Sequence, residues 1–340
     1  MRKPSTNGKR GARSRARSRA RAAEPIRRVL VATDGAPGAD AALRIAAALR
    51  RRGAEITGLA VLQPLTPYVA DVGNLAMLPS FQPVEAERRE WLLQAVRDQQ
   101  ARVPGANWPV TVLSGWPDET IGRRARSVRA QLIVMGIGRH RPVDRFLGSE
   151  TAVRVARLAR VPVLAVPATA TALPRHVVAA VDLSRSSMRA VEAAMRIAAR
   201  DATVHLTHVG LELVRLAELE SPDWLELYQA GVEKRLADFA AKLGERYRGA
   251  EFRTVRLSGR PSEELLRYAK RVGADMIAVG AQRHGAVDRL LFGTVSAQLL
   301  RGSSCAVLVT PVIDIKARSS APGTRRSATG RDLASKAESR

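Results

Sequence analysis

The sequence contains a single cysteine, Cys305, and few aromatic residues, which make up 4% of its 340 positions. One cysteine cannot form a disulfide within the chain, so the composition favours a reducing compartment and we expect a cytoplasmic protein. No apolar run reaches the roughly 18 residues of a transmembrane helix, because Arg or Pro interrupts the longest ones. We therefore expect no association with a membrane.

Motifs typical of catalysis are also missing. The sequence has neither a G-x4-G-K-[ST] phosphate loop nor a G-x-S-x-G nucleophile turn. His205 and His208 lie three residues apart on a predicted strand, where they point to opposite faces and cannot bind one metal ion. We therefore predict no catalytic residue, no metal site and no enzymatic activity, with weak ATP hydrolysis left open.

Positive charge is concentrated at the two ends of the chain, whose formal net charge is +24. Residues 1–24 carry nine Lys or Arg and one Glu, and residues 316–340 carry seven Lys or Arg and two acidic residues. Both ends are poor in large apolar groups, so we expect disordered basic tails at 1–24 and 314–340. Such tails either attract nucleic acid or an acidic partner or are simply solvated, and they lack aromatic residues for base stacking.

The body of the chain repeats itself. Three stretches of the first half, "VLSGWPDE", "AQLIVMG" and "RVPVLAVP", match "RLSGRPSE", "ADMIAVG" and "SCAVLVTP" at an offset of 144 residues, and "RRVLVATDG" matches "RHVVAAVDL" at an offset of 148. Matches in one order at nearly one spacing indicate a duplicated unit. We predict two domains, at residues 25–168 and 173–313.

Each repeat alternates short branched apolar runs with amphipathic helices, which is typical of an α/β fold. Five strands per repeat predict two doubly wound five-stranded parallel sheets with the order 3-2-1-4-5. Ligands of such sheets bind at the carboxyl ends of the strands, between strands one and four. The last strand of each repeat is apolar, so we expect the repeats to pack as an intramolecular pseudo-dimer, with a homodimer as the other arrangement.

These features resemble the universal stress protein family in its tandem form. The resemblance spans about residues 26–167 and 174–312. It depends on the aspartates after strand one, the G-x-P after strand three, the "LIVMG" strand, the G-[ST] before the last helix and the terminal "PVLAVP" and "AVLVTP". It implies an adenine-nucleotide alpha-hydrolase-like fold. It also implies a stress-response regulator that binds ATP or another adenine nucleotide and signals to an unidentified protein partner.

Nucleotide-binding members of that family carry G-x2-G-x9-G-[ST], in which backbone N–H groups and a helix N-terminus face the phosphates. The second repeat matches this motif at Gly280, Gly293 and Thr294, but has Arg283 where the second glycine would stand. We therefore predict these four residues as its phosphate-binding set.

The first repeat offers the equivalent set Gly136, Arg139, Gly148 and Ser149, and its motif is one residue short. Each arginine has two interpretations. It binds phosphate oxygens in a bidentate manner, or its side chain fills the loop and prevents nucleotide binding.

The resemblance assigns adenine contacts to the aspartates after strand one, Asp34 and Asp182, and to Val209 at the end of strand two. Asp182 precedes Ser184 in a D-x-S pattern that Asp34 lacks, so the second repeat is the better nucleotide candidate. Ser184 has a structural alternative, because a serine there can cap the following helix. The alternative for the whole chain is an interaction scaffold without nucleotide, whose basic tails contact nucleic acid or acidic partners.

Overall fold

The computed structural model describes residues 24–64, 82–137, 148–210, 222–281 and 294–311. Within these ranges it contains ten strands and eight α-helices, divided equally between the two repeats. The predicted tails, apart from Glu24 at the start of the described chain, lie outside these ranges. The first repeat contains β1 (Arg28–Thr33), α1 (Asp40–Arg51), β2 (Glu55–Leu62), α2 (Gln82–Arg102), β3 (Val110–Ser114), α3 (Pro117–Ser127), β4 (Leu132–Gly136), α4 (Ser149–Leu158) and β5 (Val163–Val166).

The second repeat has the same sequence of elements. It contains β6 (His176–Ala180), α5 (Arg185–Ile197), β7 (Thr203–Gly210), α6 (Pro222–Arg246), β8 (Glu251–Ser258), α7 (Pro261–Arg271), β9 (Met276–Gly280), α8 (Thr294–Gly302) and β10 (Ala306–Thr310). One local difference is a short 3-10 turn, Pro37–Ala39, which precedes α1 and has no counterpart before α5.

The strand order confirms the predicted topology within each repeat. The strands lie in the order β3-β2-β1-β4-β5-β10-β9-β6-β7-β8, and every pair inside a repeat is parallel. Each half of this series has the order 3-2-1-4-5. The two five-stranded sheets join through β5 and β10, which pair antiparallel and form one ten-stranded sheet. This junction pairs two apolar strands that would otherwise be exposed edges.

Helices cover both faces of the sheet. One face packs against α1, α2, α5 and α6, and the other packs against α3, α4, α7 and α8. The first helix of each repeat buries an apolar stripe whose residues lie at i, i+3, i+4 and i+7: Ala42, Ile45, Ala46 and Leu49 in α1, and Ala190, Ala193, Ala194 and Ile197 in α5. Burial of such a stripe against a parallel sheet is the main source of helix stability in this class of fold.

Contacts beside the sheet also join the repeats. Arg301 at the end of α8 donates two hydrogen bonds to the Glu150 carboxylate in α4, with N–O distances of 2.6 and 3.1 Å. Arg52, after α1, donates to the carbonyl of Ala198 at the end of α5, at 2.8 Å. Because β5 and β10 run in opposite directions, the carboxyl ends of the strands in the two repeats lie at opposite edges of the sheet. No helix among the described residues is long and apolar enough to cross a membrane.

Candidate functional site

The carboxyl end of β9 lies directly against the first turn of α5, which follows β6. A β-carbon added to Gly280 would stand 2.7 Å from the carbonyl carbon of Ser186, so no side chain fits there. The Ser186 hydroxyl donates a hydrogen bond of 2.7 Å to the carbonyl of Ala281. The structure thus brings together the segment that contains Asp182 and the end of β9, as the topology predicts for a ligand crevice.

Asp182 is held in a tight turn at this crevice. Leu183, the next residue, has a positive φ of 63°, and the Ser184 backbone N–H donates to Asp182 Oδ1 at 2.9 Å. Burial alone would raise the pKa of the Asp182 carboxyl, but its hydrogen bonds with Ser184 and Ser187 outweigh burial, so the pKa lies below its usual value. The carboxylate is therefore ionised at neutral pH and can accept hydrogen bonds from a ligand.

Ser184 has the structural role that the sequence left open. Its hydroxyl accepts a hydrogen bond of 3.2 Å from the Ser187 backbone N–H, which makes it the N-cap of α5. At the end of β7, Val209 is half-buried and packs against the core on the face that carries α7 and α8. The neighbouring His208 ring contacts the Val181 carbonyl through Nδ1 at 2.8 Å, which ties the ends of β6 and β7 together.

The first repeat builds the same junction from different residues. A β-carbon on Gly136 would lie 2.8 Å from Cα of Ala39. The 3-10 turn therefore packs directly against the backbone at the end of β4, where no side chain intervenes. Asp34 lies directly after β1, and its Oδ1 accepts a hydrogen bond of 3.1 Å from the Ala36 backbone N–H. In both repeats, therefore, a helical turn that follows strand one packs against the glycine at the end of strand four.

A buried glutamine fixes the loop of the first repeat to the long helix α2. Gln99 is fully buried, and its Oε1 accepts a hydrogen bond of 2.6 Å from the Thr33 hydroxyl. Its Nε2 donates to the Ala36 carbonyl at 2.9 Å and to Asp40 Oδ1 at 3.0 Å. The offsets of 148 and 144 residues place Val181 and Leu243 at the positions of Thr33 and Gln99, so the second repeat has an apolar pair there.

A cavity of about 400 Å³ lies beside Asp34, between the end of β2 and helix α2. Its volume is within the range of small-molecule sites in proteins. Val61, the counterpart of Val209 at an offset of 148 residues, is part of its wall. The described lining consists of Asp34, Val61, Leu62, Glu87, Arg88, Trp91 and Leu92.

Helix α4 begins at Ser149, with Gly148 in extended conformation as its N-cap, and the described part of α8 starts at Thr294. Gly148 has no side chain that could cap α4, and a helix N-terminus of this kind suits an anion. The remaining predicted residues of the motif, Arg139, Arg283 and Gly293, lie outside the described residues.

His205 and Cys305 both lie in largely buried surroundings. The buried His205 contacts the Tyr268 hydroxyl through Nδ1 at 2.7 Å, and burial is the main cause that lowers its pKa. Cys305 lies just before β10 rather than inside it, and burial raises the pKa of its thiol. Among the residues that the structure describes, no group of three or more His, Cys, Asp or Glu side chains could hold a metal ion.

Comparisons with known proteins agree with this architecture. The model of the family described as "Universal stress protein family" matches residues 25–167 and 174–311. Universal stress protein YxiE of Bacillus subtilis is 28% identical over 142 residues, which cover 38% of this chain and 94% of that protein. Universal stress protein A homolog 1 of Coxiella burnetii is 29% identical over 138 residues, which cover 39% of this chain and 94% of that protein. Each of these alignments has about the length of one repeat.

A solved structure extends the likeness to both repeats. The crystal structure of a universal stress protein from Archaeoglobus fulgidus matches with a TM-score of 0.55 and 19% identity, over 84% of this chain and 96% of that one. At this level of identity the match shows the shared fold of the tandem chain.

Proposed function

Because the chain belongs to the universal stress protein family, we propose that it acts in a stress response by binding an adenine nucleotide, chiefly in the second repeat. The observation that supports this proposal is the contact of Gly280 and Ala281 with Ser186 at the start of α5, together with the parallel pairing of β6 and β9, after which Asp182 and the end of β9 follow at the same edge of the sheet. In this proposal Asp182 and Val209 contact the base, while Gly280 and the start of α8 at Thr294 face the phosphates. Ser184 supports the site indirectly, by capping α5 and holding Asp182.

The arginines in the glycine motif complete the proposal for the phosphates. Arg283 replaces a glycine whose role in the motif is to expose backbone N–H groups. A guanidinium at this position supplies two parallel donors for phosphate oxygens, and we assign this role to Arg283 and, for weaker binding in the first repeat, to Arg139. We propose that the protein acts by binding rather than by catalysis, and that a partner protein detects whether the site is occupied.

The experiment that tests this function begins with the ligand that the full chain carries. Native mass spectrometry of the purified protein is expected to detect an adenine nucleotide, and added ATP is expected to raise its melting temperature. At a ligand concentration 100 times Kd, one site adds about 2.7 kcal/mol to the free energy of unfolding. Asp182→Asn should remove most of the stabilisation. Asp201→Asn is the matched control, because Asp201 is an exposed partner of Arg175.

Two results would contradict the proposal. The first is the absence of both bound nucleotide and thermal stabilisation at millimolar ATP, which would instead support the interaction scaffold. The second is equal stabilisation of the Asp182→Asn variant and the control, which would remove Asp182 from the site.

A further inference from the structure

The cavity of the first repeat is lined by an arginine, Arg88, of which one N–H group has no acceptor among the described residues. Arg88 Nη2 donates a hydrogen bond of 3.3 Å to the carbonyl of Gln63, just after β2. Arg88 Nη1 is buried and has no hydrogen-bond partner among the described residues. A buried guanidinium N–H without an acceptor is costly, because it has lost water and gained nothing in exchange. Arg88 lines the cavity, so a small rotation of its guanidinium would present this N–H to an acceptor on a bound ligand.

An exposed aromatic ring lies in the same wall. Trp91 is 68% exposed although its helix is packed against the sheet one residue later, where Leu92 is buried. Together with the buried Leu62, these side chains give the cavity apolar walls around its polar groups. Aromatic side chains that are exposed beside an apolar cavity are suited to stacking on a flat ring.

The charges of the lining argue for a ring rather than a phosphate beside Arg88. The described lining has two carboxylates, Asp34 and Glu87, against the single guanidinium of Arg88, so a multiply charged anion would be repelled. Arg88 also lies on the β2 side of β1, whereas Gly136 and Ser149 lie on the β4 side. The acceptor that meets Arg88 is therefore on the part of a ligand that is far from its phosphates.

Adenine has the matching pattern of donors and acceptors. Its amino group donates, and the ring nitrogens beside that group accept. Guanine carries a carbonyl oxygen where adenine carries the amino group, so guanine would present an acceptor to a carboxylate. We propose that Arg88 and Trp91 recognise the base in the first repeat, with Arg88 Nη1 donating to a ring nitrogen, Asp34 accepting from the amino group and Trp91 stacking on the ring.

The second repeat does not reproduce this arrangement. At the offset of 144 residues, Val232 and Arg235 stand where the first repeat has Arg88 and Trp91, and Val232 is buried. The two repeats therefore differ in how they select a base. At these two positions the first repeat has a guanidinium and an aromatic ring, whereas the second has an apolar side chain and a guanidinium.

This inference depends on the proposed function for the class of ligand, so the test separates the two. We use the full chain with Asp182→Asn, which the proposed function expects to empty the second repeat, and titrate it with ATP and with GTP by calorimetry. One ATP should bind, with preference over GTP. Adding Arg88→Gln should weaken ATP binding by roughly tenfold and reduce that preference. Adding Trp91→Leu should weaken both nucleotides by a similar factor and abolish the quenching of tryptophan fluorescence by ATP.

Two matched controls belong to this design. Arg89→Gln removes the next arginine, whose hydrogen bonds go to the Val112 carbonyl and the Ser114 hydroxyl of β3. Trp116→Leu removes another exposed tryptophan, outside the cavity. Both should leave the affinity and the preference unchanged, and thermal unfolding verifies that every variant is folded.

The outcomes distinguish the two proposals. If the wild-type chain binds ATP and the Asp182→Asn variant binds none, the inference about the first repeat is wrong and the proposed function stands. If the Asp182→Asn variant binds ATP with the same affinity and preference after Arg88→Gln and Trp91→Leu, these residues do not contact the base. If the wild-type chain binds no adenine nucleotide, the proposed function itself fails.

Discussion

Leu164 and Leu308 occupy equivalent positions in the two repeats and lie opposite each other in the antiparallel pair of β5 and β10. Both side chains are buried, at 1% and 0% exposure. The pairs on either side, Ala165 with Val307 and Val163 with Val309, are related by the same local twofold symmetry. The junction of the repeats is therefore centred on two leucines that the duplication made identical.

Shortening one of these leucines should destabilise the whole protein. Leu164→Ala leaves a hole at the centre of the junction, and large-to-small changes in a core cost about 2–5 kcal/mol. Leu158→Ala, at a position that is 40% exposed in the same repeat, should cost far less. Urea unfolding followed by circular dichroism measures both. Equal losses would mean that the junction contributes no more than the surface does.

The glycine at the end of β9 should not tolerate a side chain. Gly280→Ala places a β-carbon against the backbone of Ser186 and should destabilise the fold by about 1–3 kcal/mol. Gly244→Ala is the matched control, because the same methyl group meets nothing within 4 Å in helix α6. Alanine is the better helix former by up to about 1 kcal/mol, so this variant should gain stability. Thermal unfolding measures whether each variant gains or loses stability. Unchanged stability of Gly280→Ala would contradict the close packing of the end of β9 against the start of α5.

The polar pair Thr33 and Gln99 should show strong coupling. Gln99→Leu alone removes the acceptor of the buried Thr33 hydroxyl and one of the two donors to the Ala36 carbonyl, which should cost about 1–3 kcal/mol. The double change Thr33→Val with Gln99→Leu reproduces the apolar pair of the second repeat and should recover part of this loss. A double-mutant cycle of unfolding free energies measures the coupling. Simple additivity of the two single changes would show that the pair acts independently.

The buried His205 should make stability depend on pH near neutrality. Burial first, and then the charges of Arg253 and His176, lower its pKa below the value of about 6.5 in the unfolded chain. The folded protein therefore binds this proton less readily than the unfolded chain. Its contribution to stability is complete above about pH 6.5 and is lost as the pH falls toward the lowered pKa. His205→Gln should flatten the unfolding free energy between pH 7 and pH 5.

His176→Gln removes an exposed histidine at the start of β6 whose charge is a smaller cause of the lowered His205 pKa than burial. It should change the slope far less than His205→Gln does. A wild-type slope that persists in His205→Gln would assign the pH dependence to other groups.

The basic N-terminal tail, residues 1–24, predicts an affinity for nucleic acid that decreases as the salt concentration rises. Each phosphate contact contributes about 0.9 to the slope of log affinity against log salt concentration, so nine positive charges give a steep dependence. Filter binding of duplex DNA at several salt concentrations measures this slope. Replacing five arginines by glutamine at positions 13, 15, 17, 19 and 21 should reduce both affinity and slope. Unchanged binding by this variant would show that the tail has no such role.

The fold could be predicted from the sequence because its signals are local and occur twice. The strands are short runs of branched apolar residues. The helical stripe of Ala42, Ile45, Ala46 and Leu49 has the i, i+3, i+4, i+7 spacing of one helix face. The juxtaposition of Asp182 with Gly280 followed from topology alone, since parallel strands one and four must end at the same edge.

The residues of helix α2 that shape the first crevice could not be predicted in this way. Gln99 stands in the charged stretch "RDQQAR", which has the composition of a solvent-exposed face, yet it is buried against the end of β1, 66 residues earlier. Arg88 and Trp91 belong to a helix whose polar and apolar residues are spread around its axis. No apolar stripe in the sequence therefore indicates which face of the helix is buried. Only the packing of α2 against β2 and the loop after β1 reveals which of its side chains line a cavity.

The opposite directions of β5 and β10 have a consequence for signalling. A ligand bound in one repeat lies at one edge of the sheet, and a ligand bound in the other repeat lies at the opposite edge. A partner protein that docks at one edge can detect only the ligand bound there. A response that depends on both ligands at once requires a separate partner at each edge, or a conformational change transmitted along the strands between them.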